Sequence, residues 1–475
     1  MTRRALVWSE EARAAVRKAL RDCGQRYDQS PTTSVDARTM YAPPAHEVAL
    51  AFDRPLIVGG RGTGKSYWAA ALCQQEALGR LMNLYPRASR SLRGIRTFHG
   101  FAGRLGVESA PFAATADELL ELMEQAPPDH VWRTVLCRYL ADQPDATLAE
   151  MYDSGTTKDR AFRERLVKIG GGAPVLMVCD ALDRLSTRWA SIRGLCRGLL
   201  QLALDLRGFR QANVKVFLRR DQFEDAGLFD FPDASKLRTG AVELDWEHDE
   251  LYGLLFQGVQ AVLSEDVWQQ RLSPLMPESE GRSSEPYRRV FEYIAGEFMG
   301  TDRRRGFTYT WIPKHLADTS HRASPRSFIV AIGKAAQSAG PNTATPVDYR
   351  GIHEGVHAAS ATRVDELRED HPWITTVLKD LKGLTVPCPP GQFMRRWRDR
   401  KTARRVRDSS EGSESPGVPI ALESGTSETD ERALLDALVT LRVVEIRETT
   451  NRVNVPDIYR VAARIGRRGG VRLRR

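Results

Sequence analysis

Gly59, Gly64, Lys65 and Ser66 fall at the spacing G-x-x-x-x-G-K-[ST], filled here as Gly59-Gly60-Arg61-Gly62-Thr63-Gly64-Lys65-Ser66. Backbone N–H groups of such a loop can close around phosphate oxygens where side chains would obstruct them. Lys65 would then reach the β- and γ-phosphates of a nucleoside triphosphate, and the Ser66 hydroxyl would hold Mg²⁺. A second stretch, Val175-Leu176-Met177-Val178-Cys179-Asp180, is an apolar run that ends in a carboxylate able to orient Mg²⁺ and its waters opposite Lys65. Asp183, in the same turn, is a candidate to hold the attacking water; the alternative is a helix N-cap or first-turn acid. Arg219 or Arg220 ends a further apolar run and would report the γ-phosphate, or else simply pair with Asp221. Arg326, in Ser324-Pro325-Arg326 at the head of an apolar-periodic helix, is either a phosphate contact or a surface side chain.

Elements of definite type must carry these residues. Leu56-Ile57-Val58 reads as a buried strand, and Ser66 to Glu76 as a helix, so the glycine loop joins a strand to a helix N-terminus. Residues 95–101, 175–179, 213–221 and 241–246 supply further strands, with helical patterns at 116–126, 130–142 and 186–206 between them. Strands alternating with helices from 41 to about 250 predict an α/β core, a parallel sheet flanked by helices on both faces. No N/T-K-x-D stretch follows the loop, which favours ATP over GTP.

Residues 1–40 are expected to form an N-terminal helical segment, with a helix over 8–25 capped by Ser9, and 41–246 the nucleotide-binding core. Residues 247–345 would be a helical lid, and 346–407 a helical segment ending in the basic run Arg395–Arg407. Residues 408–430, rich in Ser, Gly, Glu and Pro, read as a flexible linker or insertion. In 431–475 a helix precedes two short strands about a polar turn, a winged-helix-like order. Such an end would dock a protein effector. The basic run would alternatively give DNA affinity, in a nucleotide-gated regulator.

Composition narrows the class. The 475 residues carry 70 Lys+Arg against 61 Asp+Glu, a net +9 compatible with nucleic-acid contact, but both signs are heavily used. The six cysteines form no C-x-x-C pair, which argues against zinc and a disulfide framework. No run of about 18 apolar residues spans a bilayer. The opening turns acidic at Glu10-Glu11 before any signal-peptide core develops, so a soluble cytoplasmic protein is expected.

Together, Gly59–Ser66, Val175–Asp183, Val214–Asp221 and Ser324–Arg326, with the end at Asn454–Val471, resemble the bacterial P-loop ATPases of the STAND and KAP-like kind, a branch beside the AAA+ proteins. The resemblance implies that Asp180 is the Walker B acid, Arg219 a sensor at the end of the fourth core strand, and Arg326 a lid sensor like that of the G-x-P-R element. At Arg326 the chain departs from that element, with Ser-Pro-Arg but no preceding Gly; separately, Ala181 stands where many P-loop ATPases place Glu, so hydrolysis would be slow or depend on Asp183. The family further implies an ATP-driven switch, often a homo-oligomer, in signalling, stress response or defence against phage.

Overall fold

Both faces of the central strands are apolar, and that property builds the first of the two units into which the chain divides, Pro31–Asp245. The structure, a computed structural model, describes residues 7–29, 35–103, 110–169, 172–186, 188–276, 285–408, 429–467 and 471. Five strands, β1 (Leu56–Gly59), β2 (Arg96–Phe101), β3 (Val175–Cys179), β4 (Ala212–Arg219) and β5 (Val242–Glu243), pair in parallel in the order β2-β3-β4-β1-β5. Leu56 and Val58 face one core with Val175, Met177, Val214, Val216 and Leu218, under the helices Pro128–Leu140 and Trp189–Leu206. Ile57, Leu176, Val178 and Phe217 face the other, under the helix Lys65–Cys73 with its buried Trp68 and Leu72. Alternation along each strand thus calls for a helical layer on each side. Each fully buried Val, Leu, Ile or Phe contributes roughly 1.5–3 kcal/mol toward holding the sheet.

Two polar residues, Asn213 and Lys215, break the apolar run of β4. Lys215 is fully buried, and its Nζ donates to the carbonyls of Ala49, Ala51 and Arg54 at 2.8, 2.6 and 2.8 Å. Asn213 adds a bond to the carbonyl of Phe52 at 2.9 Å. The turn that delivers the chain into β1 is therefore pinned by the strand beside it. Burial lowers the Lys215 ammonium to about 7, and the three carbonyls take up the donors that burial removes from water.

Two local expectations change. The helix predicted over 66–76 stops at Cys73 and restarts at Gln75, because Gln74 is extended, at φ −105°, and its side chain accepts the backbone N–H of Val35. The last strand, predicted over 241–246, is only Val242–Glu243, although Leu244 still donates to Val58 at 2.8 Å.

The second unit comprises Met1–Ser30 and Trp246–Arg475. Helix Glu10–Gln29 crosses helix Pro325–Ser338 where Gly24 and Gly333 meet, so close that a Cβ on Gly24 would lie 2.6 Å from the Gly333 Cα. Helix Tyr349–Asp370 approaches through Gly355, whose added Cβ would lie 2.1 Å from the Ala331 carbonyl oxygen. The stretch predicted as helical from 247 is interrupted at 296–307 by a turn in which Gly296, Gly300 and Gly306 have positive φ and Phe298 bridges Phe307 antiparallel. Further on, β6 (Thr385–Val386) pairs in parallel with β9 (Gly466–Arg467), and β7 (Glu445–Arg447) forms an antiparallel hairpin with β8 (Arg452–Asn454). The helix Asp430–Thr440 precedes that hairpin. Residues 409–428, most of the expected linker, lie outside the described residues. Among the described residues no helix is long and apolar enough to cross a membrane.

Candidate nucleotide-binding site

Strand β1 ends at Gly59, level with Arg219 at the end of β4, and the loop begins there. Gly62 and Gly64 have φ of 74° and 100°, in the left-handed region that favours glycine. At Gly59 space is the constraint, since a Cβ would come within 2.5 Å of Thr63 Oγ1. That hydroxyl donates to the Gly60 carbonyl at 2.9 Å and closes the loop on itself. Helix Lys65–Cys73 follows immediately, with its first N–H groups directed at the loop.

Lys65 folds back over the loop and donates to the carbonyls of Gly59 and Gly60 at 2.8 and 2.7 Å. Burial lowers its ammonium to about 8, and the nearby Asp180 carboxylate opposes the drop. Arg219, Asp183 and Asp221 also act electrostatically on it. Ser66, the next residue, donates its hydroxyl to Asp180. Asp180 is 6% exposed; burial raises its carboxyl, and the Ser66 bond and Lys65 pull it back. A hydroxyl and a buried carboxylate in contact beside a lysine fit Mg²⁺, which keeps several waters and takes few protein oxygens. Among the described residues no group of three or more His, Cys, Asp or Glu could hold a metal.

Beyond Asp180 the chain turns sharply. Ala181 has φ 56° and no glycine's freedom, and it precedes the turn Leu182–Arg184 that carries Asp183. Asp183 Oδ2 lies 3.4 Å from Arg219 Nη1. Arg219 also forks onto Asp221, Nε to Oδ1 at 3.0 Å and Nη2 to Oδ2 at 2.7 Å. Arg220 pairs instead with Glu243. The structure therefore brings Lys65, Ser66, Asp180, Asp183 and Arg219 together at the carboxyl ends of β1, β3 and β4, the usual ligand edge of a parallel sheet. Arg326 belongs to the other unit, where it donates to the Tyr27 carbonyl at 3.0 Å and to Glu366 at 3.1 Å.

Sequence reasoning passed over two features of this site. In the sequence Asp221 offers only an ion-pair partner, yet its two oxygens fix the Arg219 guanidinium; a carboxylate two residues past the strand-ending Arg is the signal for it. His46, fully buried, accepts from the Trp68 indole at Nδ1 and donates from Nε2 to the Asp245 carbonyl at 2.9 Å. No local pattern marks it.

Fold and loop together define a protein with a parallel α/β sheet and a phosphate-loop motif between β1 and its following helix. No protein-family model matches the chain. No curated protein matches it. Among solved structures it is similar to the ORC2 protein of Aeropyrum pernix, described in ADPNP–ADP complexes, at 12% identity and TM-score 0.40, covering 90% of this chain and 94% of that one. It is likewise similar to a Walker-type ATPase of Pyrococcus abyssi, at 12% identity and TM-score 0.40, covering 92% and 99%. Neither likeness assigns an activity to this chain.

Proposed function

We propose that the chain binds ATP and hydrolyses it slowly with Mg²⁺, as a nucleotide-driven switch of the STAND or KAP-like kind. The observation that carries this reading is the convergence of Lys65, Ser66, Asp180, Asp183 and Arg219 at one sheet edge. Lys65 neutralises the β- and γ-phosphates, leaving its two loop carbonyls to do so. The loop residues Gly59 to Gly64 supply backbone N–H donors. Ser66 and Asp180 hold Mg²⁺, which when bound offsets phosphate charge. Asp183 accepts a hydrogen bond from the attacking water, whose oxygen bonds to the γ-phosphorus as the bond from that phosphorus to the β–γ bridging oxygen breaks; ADP departs with the bridging oxygen, and the water's protons pass to the phosphate product. Arg219 meets the γ-phosphate, and Arg326 serves as the lid sensor. The nucleotide state then passes through the helical 247–345 segment to the C-terminal domain, winged-helix-like in its element order, where a protein effector docks. A homo-oligomer, a cytoplasmic location and a role in signalling, stress response or antiviral defence accompany this reading.

The test is ATP turnover and nucleotide binding of the wild type beside Lys65→Ala and Asp183→Ala. Wild-type turnover, no turnover in Lys65→Ala, and ATP binding without hydrolysis in Asp183→Ala are expected. A wild type that binds ATP and never turns it over is a switch without an enzyme.

A further inference from the structure

Three charged side chains at the end of β4 and β3 form a chain of contacts. Arg219 is fixed through Nε and Nη2 by both oxygens of Asp221, a fork that planar guanidinium and carboxylate groups make well. Its remaining terminal nitrogen, Nη1, is the one that reaches Asp183, and at 3.4 Å that contact is long. The arginine side chain is 13% exposed, and those of Asp221 and Asp183 are 23% and 26% exposed. One contact is therefore short and two-pronged, and the other long and single.

We propose that Asp221 is a positioning residue that holds Arg219 toward the γ-phosphate, and that Asp183 and the γ-phosphate compete for Arg219 Nη1. The inference rests on the nucleotide-site reading above. With no third phosphate, Arg219 Nη1 stays on Asp183 Oδ2, and the guanidinium charge beside it lowers the basicity of that carboxylate toward water. When the γ-phosphate takes the guanidinium, Asp183 is released to accept from the attacking water. The same event that reports ATP thus readies the carboxylate that hydrolysis needs. Diphosphate lacks the competing group, so ADP leaves the Arg219–Asp183 pair intact.

Two substitutions should act with opposite sign. Full-length protein is titrated with ATP and with ADP, each with Mg²⁺, by calorimetry, and steady-state turnover is measured alongside. Asp221→Asn frees the guanidinium from its anchor: ADP affinity stays within about twofold of wild type, the preference for ATP over ADP falls about tenfold, and kcat drops more than KM rises. Asp221→Glu restores part of the preference. Asp183→Asn removes the competitor, so ATP affinity rises severalfold with ADP unchanged, while turnover is lost. An unchanged ATP-to-ADP ratio in Asp221→Asn, or weaker ATP binding in Asp183→Asn, overturns the proposal and leaves the nucleotide site standing. Nucleotide binding in Lys65→Ala equal to that of wild type, or none in any form, removes the site and the proposal together. Thermal unfolding midpoints matching wild type separate these outcomes from a loss of fold.

Discussion

His46 Nδ1 accepts the indole N–H of Trp68 at 3.0 Å, one turn beyond Lys65 on the helix that follows the phosphate loop. Its other ring nitrogen donates to the Asp245 carbonyl, so one neutral tautomer serves both contacts. A second proton would fall on Nδ1 and break the bond to Trp68. Burial, partly opposed by the Asp245 bond, lowers the imidazole to about 4.

That value sets an acid window. Because the folded value lies below that of an exposed histidine, the unfolded chain takes up the extra proton between about pH 6.5 and 4. Stability from His46 is therefore fully present above pH 6.5 and lost on descent to pH 4, by about 3 kcal/mol. Urea unfolding at pH 7, 6 and 5 should show a falling midpoint in wild type and a shallower fall in His46→Gln.

Loop geometry gives a second expectation. Gly64→Ala puts a side chain at φ 100°, in ordinary contact with Trp68 at 3.9 Å, so the cost of about 1–2 kcal/mol is in the backbone. Gly59→Ala instead drives a methyl into Thr63 Oγ1 and disrupts the Thr63–Gly60 bond. Both should weaken ATP binding at least tenfold, read with a fluorescent ATP analogue. Far-ultraviolet circular dichroism should remain that of wild type.

The C-terminal region turns on a buried ion pair. Asp457 and Arg460 are 3% and 1% exposed, and Asp457 also accepts from His315 at 2.5 Å and from Arg467 at 3.3 Å. Burial alone would raise the Asp457 carboxyl, but His315 and Arg460 outweigh it and hold the group well below the carboxylate range. Asp457→Asn leaves the Arg460 charge buried without its counterion, a loss of about 3–5 kcal/mol. Limited proteolysis should then cut within 430–467 far faster than in wild type.

The basic run bears on the DNA-binding alternative. Of its eight Lys and Arg residues between 395 and 407, Arg398, Arg400, Arg404, Arg405 and Arg407 are ion-paired with carboxylates. Three cations outside those pairs predict a slope of log K against log salt of roughly −3, whereas all eight acting on phosphates would give roughly −7. Fluorescence anisotropy on duplex DNA from 50 to 200 mM salt distinguishes them.

Legibility followed the kind of constraint on each residue. The phosphate loop was readable because backbone geometry and phosphate chemistry restrict Gly59, Gly64, Lys65 and Ser66 to particular residue types at fixed spacing. The parallel sheet was readable because strands buried on both faces must be continuously apolar, as β3 is from Val175 to Cys179. The Arg219–Asp221 fork was half visible, since both residues are local but their geometry is not. Nothing local could reveal His46 bridging Trp68 and Asp245, or Lys215 seeking carbonyls at Ala49, Ala51 and Arg54, because each partner is brought in by tertiary folding. The turn at 296–307 is hidden because apolar residues on either side keep a helical period, and its signal is Gly296, at φ 77° just past the helix that ends at Ala295.

The packing of Glu10–Gln29 on Pro325–Ser338 has a consequence in time. Tyr27 and Arg326 bond across 299 residues, and Trp8 and Tyr293 across 285. At a synthesis rate of roughly 5–20 residues per second, the first helix waits about 15–60 s for its partner. Its apolar face, Val16, Leu20 and Cys23, gains native cover only as helix His248–Gln260, whose Gly258 lies against Cys23, and then Pro325–Ser338 are made. Every residue of the candidate site, from Gly59 to Asp221, has by then left the ribosome's catalytic centre. The nascent chain therefore completes its nucleotide-binding unit first and its helical unit last, and an early amphipathic helix is the segment a co-translational chaperone would meet.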